Sequence, residues 1–492
     1  MKLKRARNSL LNISKLPPEL LGDIFCRNAT FKGDFGGLGK RSRNFLFVCH
    51  HWFEVASSTP EVWSFWGNTP KDWARWHQRS GTAPLDLVLG VEWDDGSFDA
   101  DLSNVLQDRA TQDTIRRIHL KATDSGLLKS IISSSTTDSE ELRSSGVESF
   151  MLQNGGSGGL VDISDFFAHY RFPRLQRLEF YNCTISSWNL ITSRITTLTI
   201  LDLDLFTIEP TPTTSQVLSI LASNPTLRKV TFSVDVAGAD AGDVTLPPRV
   251  PLRHLKELKL DGYPQGIFGI LDRLDLPRDV DILDITLDEC AVEEISQTIG
   301  PYLRDYLRHR GMSQLGLGLS ISSEPDIELQ AGDVDGMDFF VPPPARMNTF
   351  LKITIEFDRA PSIGRLEKAA VDLITHAPRE GVTYFLASGR PLTVEKISTQ
   401  LPNLRGLHFE RVSLPIAFPR ANPDGDVEIF RCLRYLFLDR VFLVDGDWGP
   451  LTTFLLWRAR SGRQLHSLVI VSSYRALPSI TQEMAQEFRL NP

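Results

Sequence analysis

From Ile115 to Ile470 one pattern recurs about a dozen times: apolar, two free residues, apolar, one free, apolar. It reads Ile115/Ile118/Leu120, Val147/Phe150/Leu152, Leu175/Leu178/Phe180, Ile195/Leu198/Ile200, Leu227/Val230/Phe232 and Leu255/Leu258/Leu260. It continues through Ile282/Ile285/Leu287, Met312/Leu315/Leu317, Phe350/Ile353/Ile355 and a weaker Val382/Phe385/Ala387 to Leu404/Leu407/Phe409, Leu433/Leu436/Leu438 and Leu465/Leu468/Ile470. First positions lie 20 to 38 residues apart. Alternation of this kind predicts a short strand, and a strand returning at that period predicts a solenoid whose stacked units share one core. Pro84 to Leu89 alternates like an earlier strand, one repeat length ahead of Ile115.

Amphipathic stretches fill the intervals. Ile295, Ile299, Leu303 and Leu307 return every four residues; Leu366, Ala369, Ala370, Leu373 and Ile374, and Val217, Leu218 and Leu221, each line one helix face. The predicted class is α/β, each unit reading strand, turn, helix, turn. Right-handed stacking then places strands on a concave face and helices on a convex one, an arrangement that resembles the leucine-rich repeats. Cys183 and Cys290 fall eight positions after Leu175 and Ile282, at the turn where such repeats carry Asn or Cys, and are expected to be buried structural residues.

The chain divides into a basic tail (1–11), a helical module (12–66), a linker helix (67–80) and the repeats (81–492), with loop insertions near 133–146, 322–347 and 415–428. In the module, Leu20, Leu21, Ile24 and Phe25 are expected to share a helix face, as are Val48, Cys49, Trp52 and Ala56. Pro60 ends the second helix. Helices this short cannot bury so much aromatic surface alone, so part of it must pack on the repeats or on another protein.

Net charge of −8 over 492 residues argues against a general nucleic-acid binder. The first fifteen residues run the other way, with Lys2, Lys4, Arg5, Arg7 and Lys15 and no acid. No apolar stretch approaches the roughly 18 residues of a membrane span. Five scattered cysteines form no CxxC pair or disulfide framework, which points to a reducing compartment, cytoplasm or nucleus.

The segment Leu16-Pro17-x-Glu19-Leu20-Leu21-x-x-Ile24-Phe25, followed by Val48-Cys49-x-x-Trp52 and Pro60-x-x-Trp63, resembles the F-box. Trp73, Trp76 and Arg79-Ser80-Gly81, leading into the repeats, are similar to fungal F-box proteins with C-terminal leucine-rich repeats. The resemblance implies a non-enzymatic substrate receptor of an SCF-type cullin ubiquitin ligase. Its adaptor surface, for a Skp-family protein, would be Leu16, Pro17, Leu20, Leu21, Ile24, Val48, Cys49 and Trp52, while the repeats would capture a protein substrate. One stretch departs from the family pattern: Asn28 to Arg41 is longer and richer in glycine than the usual link. The alternative is a leucine-rich-repeat scaffold outside ubiquitination.

On strand alternation, the concave face carries Arg117, His119 and Lys121, then Arg177, Glu179 and Tyr181, then Glu257, Lys259 and Asp261. Toward the C-terminus, His408, Tyr435, Phe437, Asp439 and Val469 are expected to expose aromatic anchors and form the substrate site, unless the helical segment Gln482 to Leu490 caps them. No catalytic, metal or cofactor site stands out. Gly155 to Gly159 matches GxSxG around Ser157, but without an evident acid and His it reads as a flexible turn. Gly33 to Lys40 misses the phosphate-loop spacing, and adjacent His50-His51 cannot form an i, i+4 zinc pair.

Overall fold

The computed structural model describes residues 15–29, 44–67, 73–91, 113–122, 142–143, 146–155, 161–185, 194–201, 213–233, 249–310, 315–321, 326–334, 348–357, 362–389, 392–413, 430–441 and 449–471, with 125–126, 128–129 and 417–418. The basic tail, the glycine-rich link (30–43), Ser157 and the segment 482–490 lie outside them, as do most of 133–146 and 415–428. The chain is a mixed α/β protein built on mostly parallel strands. It divides into two compact units, Met1–Leu255 and Lys256–Pro492, so the division falls within the repeats.

The N-terminal unit opens with α1 (Pro18–Ala29), a 3-10 turn at Asn44–Phe47, α2 (His50–Ser58) and a second turn at Pro60–Trp63. Proline suits the first position of α1 because its missing N–H has no intrahelical partner there. Cys49 caps α2, its Sγ accepting from Trp52 N at 3.5 Å. Trp63 is core, as its position suggests: its Nε1 donates to Ala56 O at 2.7 Å and the Arg79 guanidinium lies 4.4 Å from its ring centroid. Strand β1 (Phe65–Gly67) and helix α3 (Trp73–Ser80) follow, and β1 joins the module to the sheet.

The sheet of this unit runs β1, β2 (Leu85–Val91), β3 (Ile115–Ala122), β4 (Ser149–Asn154), β5 (Arg177–Tyr181), β6 (Thr197–Leu201), β7 (Lys229–Ser233), all parallel and in chain order. Leu87, Ile118, Phe150, Leu178, Leu198 and Val230 are aligned across it and all buried. Each such side chain contributes about 1.5–3 kcal/mol through burial. Helix α4 (Thr214–Ser223) is held at its start by reciprocal bonds between Thr213 and Gln216, and it buries Val217, Leu218 and Leu221 as expected.

The C-terminal unit contains β8 (Glu257–Gly262), α5 (Pro264–Leu271), β9 (Ile282–Leu287), a π-helical turn at Ile295–Ile299, α6 (Gly300–Arg310) and β10 (Leu315–Ile321). Then come β11 (Asp326–Asp333), β12 (Asn348–Glu356), α7 (Ile363–His376), β13 (Val382–Gly389), α8 (Val394–Gln400), β14 (Gly406–Glu410), β15 (Tyr435–Asp439), α9 (Gly449–Arg460) and β16 (Ser467–Val471).

Their spatial order is β8, β9, β12, β11, β10, β13, β14, β15, β16. One strand per unit, stacked in chain order, is therefore wrong here. Part of the expected 322–347 loop is β11, which runs antiparallel between β10 and β12. It buries Ile327, Leu329 and Ala331 on one face. The connection from β9 to β10 passes over two strand positions, and so does that from β12 to β13. Helices α6 and α7, 11 and 14 residues long, lie in those connections and pack together. At 1.5 Å per residue they reach about 16 and 21 Å, against about 14 Å for three strand spacings.

A second correction concerns register. Leu283, not Ile282, pairs with Leu258, and Ile282 is 40% exposed while Val280, Leu283, Ile285 and Leu287 are buried. The unit therefore begins at Val280. At the ends of β5, β14 and β15, Asn182, Arg411 and Arg440 take positive φ (53°, 55° and 51°) and turn the chain out of the sheet. Cys183 and Cys290 are buried beyond such turns.

Candidate protein-interaction surfaces

The helical module presents an apolar surface to solvent. Leu20 is 50% exposed, Ile24 36%, Val48 51%, Phe47 85% and Phe53 42%, with Pro17 also exposed. Leu16, Cys49 and Trp52 are half-buried beside them. Leu21 is a correction: it is fully buried with Phe25, so it supports the surface from within. The two lines of α1, Leu20/Ile24 and Leu21/Phe25, are about 100° apart, and only the second turns inward. There Phe25 stacks on Phe45 at 4.6 Å and meets Trp52 at 5.2 Å. Phe47 and Phe53 were not singled out from the sequence. Their signal is the dense apolar and aromatic content of Phe45 through Phe53, interrupted only by His50-His51.

The strand side chains opposite the core form rows fixed by the pairing. In the N-terminal unit one row is Val88, His119, Met151, Glu179, Thr199 and Thr231. Arg177 bonds Glu179, which also accepts from the Tyr181 hydroxyl at 3.4 Å. Burial, aided by the charges of Arg177 and Lys121, lowers the His119 pKa to about 4, so the ring is neutral near pH 7. This face carries Arg117, Lys121, Arg177 and Lys229 against Asp86 and Glu179.

In the C-terminal unit one row runs Lys259, Asp284, Lys352, Gln330, Gly318, Leu386, His408, Phe437, Val469. The row beside it runs Asp261, Thr286, Thr354, Glu328, Ser320, Ser388, Glu410, Asp439, Val471. Glu257, Asp326 and Glu356 project from the same side. Lys259 lies 3.7 Å from Asp284, Lys352 lies 3.0 Å from Glu328, and Arg440, just beyond β15, bridges Glu410 and Asp439.

The expected exposed aromatic anchors are corrected by this geometry. His408 and Phe437 point away from the core, as alternation requires, yet both are buried. Adjacent parallel strands bring large side chains together, and here they cover one another: the His408 and Phe437 rings lie 6.0 Å apart. Tyr384, also buried, places its hydroxyl 3.1 Å from His408 Nδ1. Burial lowers the His408 pKa and raises that of Tyr384. Tyr435, Asp439 and Val469 are half-buried. Thus the five residues do lie together on one face, but two of them are interior.

Among the described residues no group of three or more His, Cys, Asp or Glu side chains could hold a metal ion, and no helix is long and apolar enough to cross a membrane. No family model matches the sequence. Comparison with curated proteins gives no match.

Proposed function

We propose that the chain is a substrate receptor of an SCF-type cullin ubiquitin ligase, with an F-box module that docks on a Skp-family adaptor and a leucine-rich-repeat solenoid that captures a protein. One observation carries this reading. Of the nine exposed large hydrophobic residues among those described, five are Leu20, Ile24, Phe47, Val48 and Phe53 of the helical module. An apolar surface so concentrated on a short helical segment is the kind that a partner covers. Leu16-Pro17, Leu20, Ile24, Val48-Cys49 and Trp52 also stand where the F-box resemblance places adaptor contacts. The strand faces, polar and wide, suit recognition of a protein.

The test is co-purification of the full chain with a Skp-family adaptor and its cullin. The adaptor is expected with the native chain and absent with Leu20→Asp, whose circular dichroism should stay native because Leu20 projects into solvent. Adaptor retained by a folded Leu20→Asp variant would remove the F-box reading. Failure of the native chain to retain any adaptor would leave a leucine-rich-repeat scaffold outside ubiquitination.

A further inference from the structure

Charge is distributed unequally between the two strand faces. That of the N-terminal unit has more cations than acids. On the C-terminal unit the strands present eight carboxylates and only two lysines, Lys259 and Lys352; Arg411 and Arg440 at the strand ends leave the acids still in excess by four. The carboxylates lie on six of the eight strands from β8 to β15, with none on β10 or β13, and eight strands at about 4.8 Å make a surface about 34 Å long. Roughly a dozen extended residues span that distance.

A second, independent observation lies on the same face. His408 is 6% exposed, its Nδ1 is used by Tyr384, and its Nε2 is buried with no hydrogen-bond partner. A buried polar atom of this kind calls for an explanation, which a ligand's polar group would provide. Asp326 Oδ1, toward the other part of the face, is likewise buried and unsatisfied. Leu386 on β13 pairs with His408, and Tyr435 on β15 and Val469 on β16 add half-buried apolar surface to the same face.

We infer that the strand face of the C-terminal unit binds an extended Lys- and Arg-rich segment of a partner protein, its cations lying along the carboxylate rows and one of its main-chain polar groups meeting His408 Nε2. This rests on the substrate-receptor reading and names the class of substrate. Charge complementarity of this kind speeds encounter and rejects acidic segments.

The probe is a fluorescein-labelled dodecapeptide in which Arg and Lys alternate with Ser, titrated into the full chain, with a Glu/Ser peptide as control. The cationic peptide should bind, at least tenfold more weakly in 300 than in 50 mM salt, and the acidic one should not. Asp284→Asn/Glu328→Gln/Asp439→Asn should weaken binding tenfold or more. Asp305→Asn/Glu380→Gln/Glu395→Gln, an equal charge change among exposed residues off this face, should change it less than twofold. Lys352→Gln, which removes a cation from the face, should tighten binding threefold, a gain that misfolding cannot produce.

Equal losses in both triple variants, or equal binding of the acidic peptide, would overturn the inference. Binding that emerges only after deletion of residues 2–7 would assign the face to the chain's own basic start and overturn a separate partner. Adaptor capture is measured on the same samples. Its absence alongside face-specific peptide binding would sink the ligase reading only, whereas its presence without peptide binding would sink this inference only.

Discussion

Asn154 and Asn182 each satisfy the other's main chain across neighbouring strand ends. Asn182 Nδ2 donates to Asn154 O at 3.1 Å and Asn154 Nδ2 donates to Asn182 O at 3.4 Å, with both residues buried. The pair clamps the turn where Asn182 takes positive φ, a conformation that asparagine tolerates better than most residues. Either change to Ala removes one donor from a buried main-chain carbonyl and should cost about 0.5–1.5 kcal/mol. The two bonds are distinct and each is lost by one substitution, so the double change should cost about the sum of the two, read by urea unfolding. A double cost well below the sum would mean that the two amides act as one unit.

Core and face should differ sharply in the C-terminal unit. Leu258 and Leu407 are fully buried. Their replacement by Ala should cost about 2–5 kcal/mol. Lys259, with its exposed ammonium near Glu257 and Asp284, should cost under about 1 kcal/mol on the same change. Comparable losses at Leu258 and Lys259 in chemical denaturation would reverse the assignment of strand faces.

His119 predicts an acid sensitivity. Its folded pKa, about 4, lies below the ordinary 6.5 because the ring is buried near Arg177 and Lys121. The unfolded chain therefore takes up the proton first. The stabilisation is complete above about pH 6.5 and is lost as pH falls toward 4. Between pH 7 and 4.5 the native protein should lose on the order of 2–3 kcal/mol more than His119→Gln. Parallel pH–stability curves for the two proteins would show that the ring titrates normally.

The thiols of Cys183 and Cys290 are pushed up to about 12, chiefly by burial. At pH 8 both remain protonated and enclosed. A disulfide reagent should leave them unlabelled in the native protein and reach all five cysteines only after unfolding. Rapid native labelling of either, mapped by peptide mass, would contradict its burial.

The sequence revealed what a buried face imposes on it. Leu178, Leu198, Val230, Leu258 and Leu407 are periodic because each points into a core, and the phrase located their strands. It misplaced the start at Ile282 because Val280/Leu283/Ile285 makes the same phrase two residues earlier, and only pairing with Leu258 decides between them. Strand β11 alternates cleanly through Ile327, Leu329 and Ala331 but lacks the apolar residue three positions ahead, having entered from an antiparallel neighbour. In α1 the apolar pattern marked four residues as one face. Which pair turned inward depended on Phe45 and Trp52, far along the chain. For the candidate substrate site, alternation placed His408 and Phe437 on the correct side, but their burial depends on Tyr384 and each other across strands, which no single strand's pattern records.

The doubled-back order β9, β12, β11, β10, β13 makes one part of the molecule resistant to modular change. Where strands follow chain order, a unit can be duplicated or excised and its neighbours brought together. Between Ile282 and Gly389 no single strand can be removed in that way: loss of β11 unpairs both β10 and β12, while loss of β12 uncovers β9. The contact of β9 with β12 also has to wait until the two intervening strands have been synthesised, so β9 keeps that edge unpaired on the ribosome until β12 has emerged. Growth and shrinkage of the chain over evolutionary time would therefore occur on either side of this block, which passes on whole.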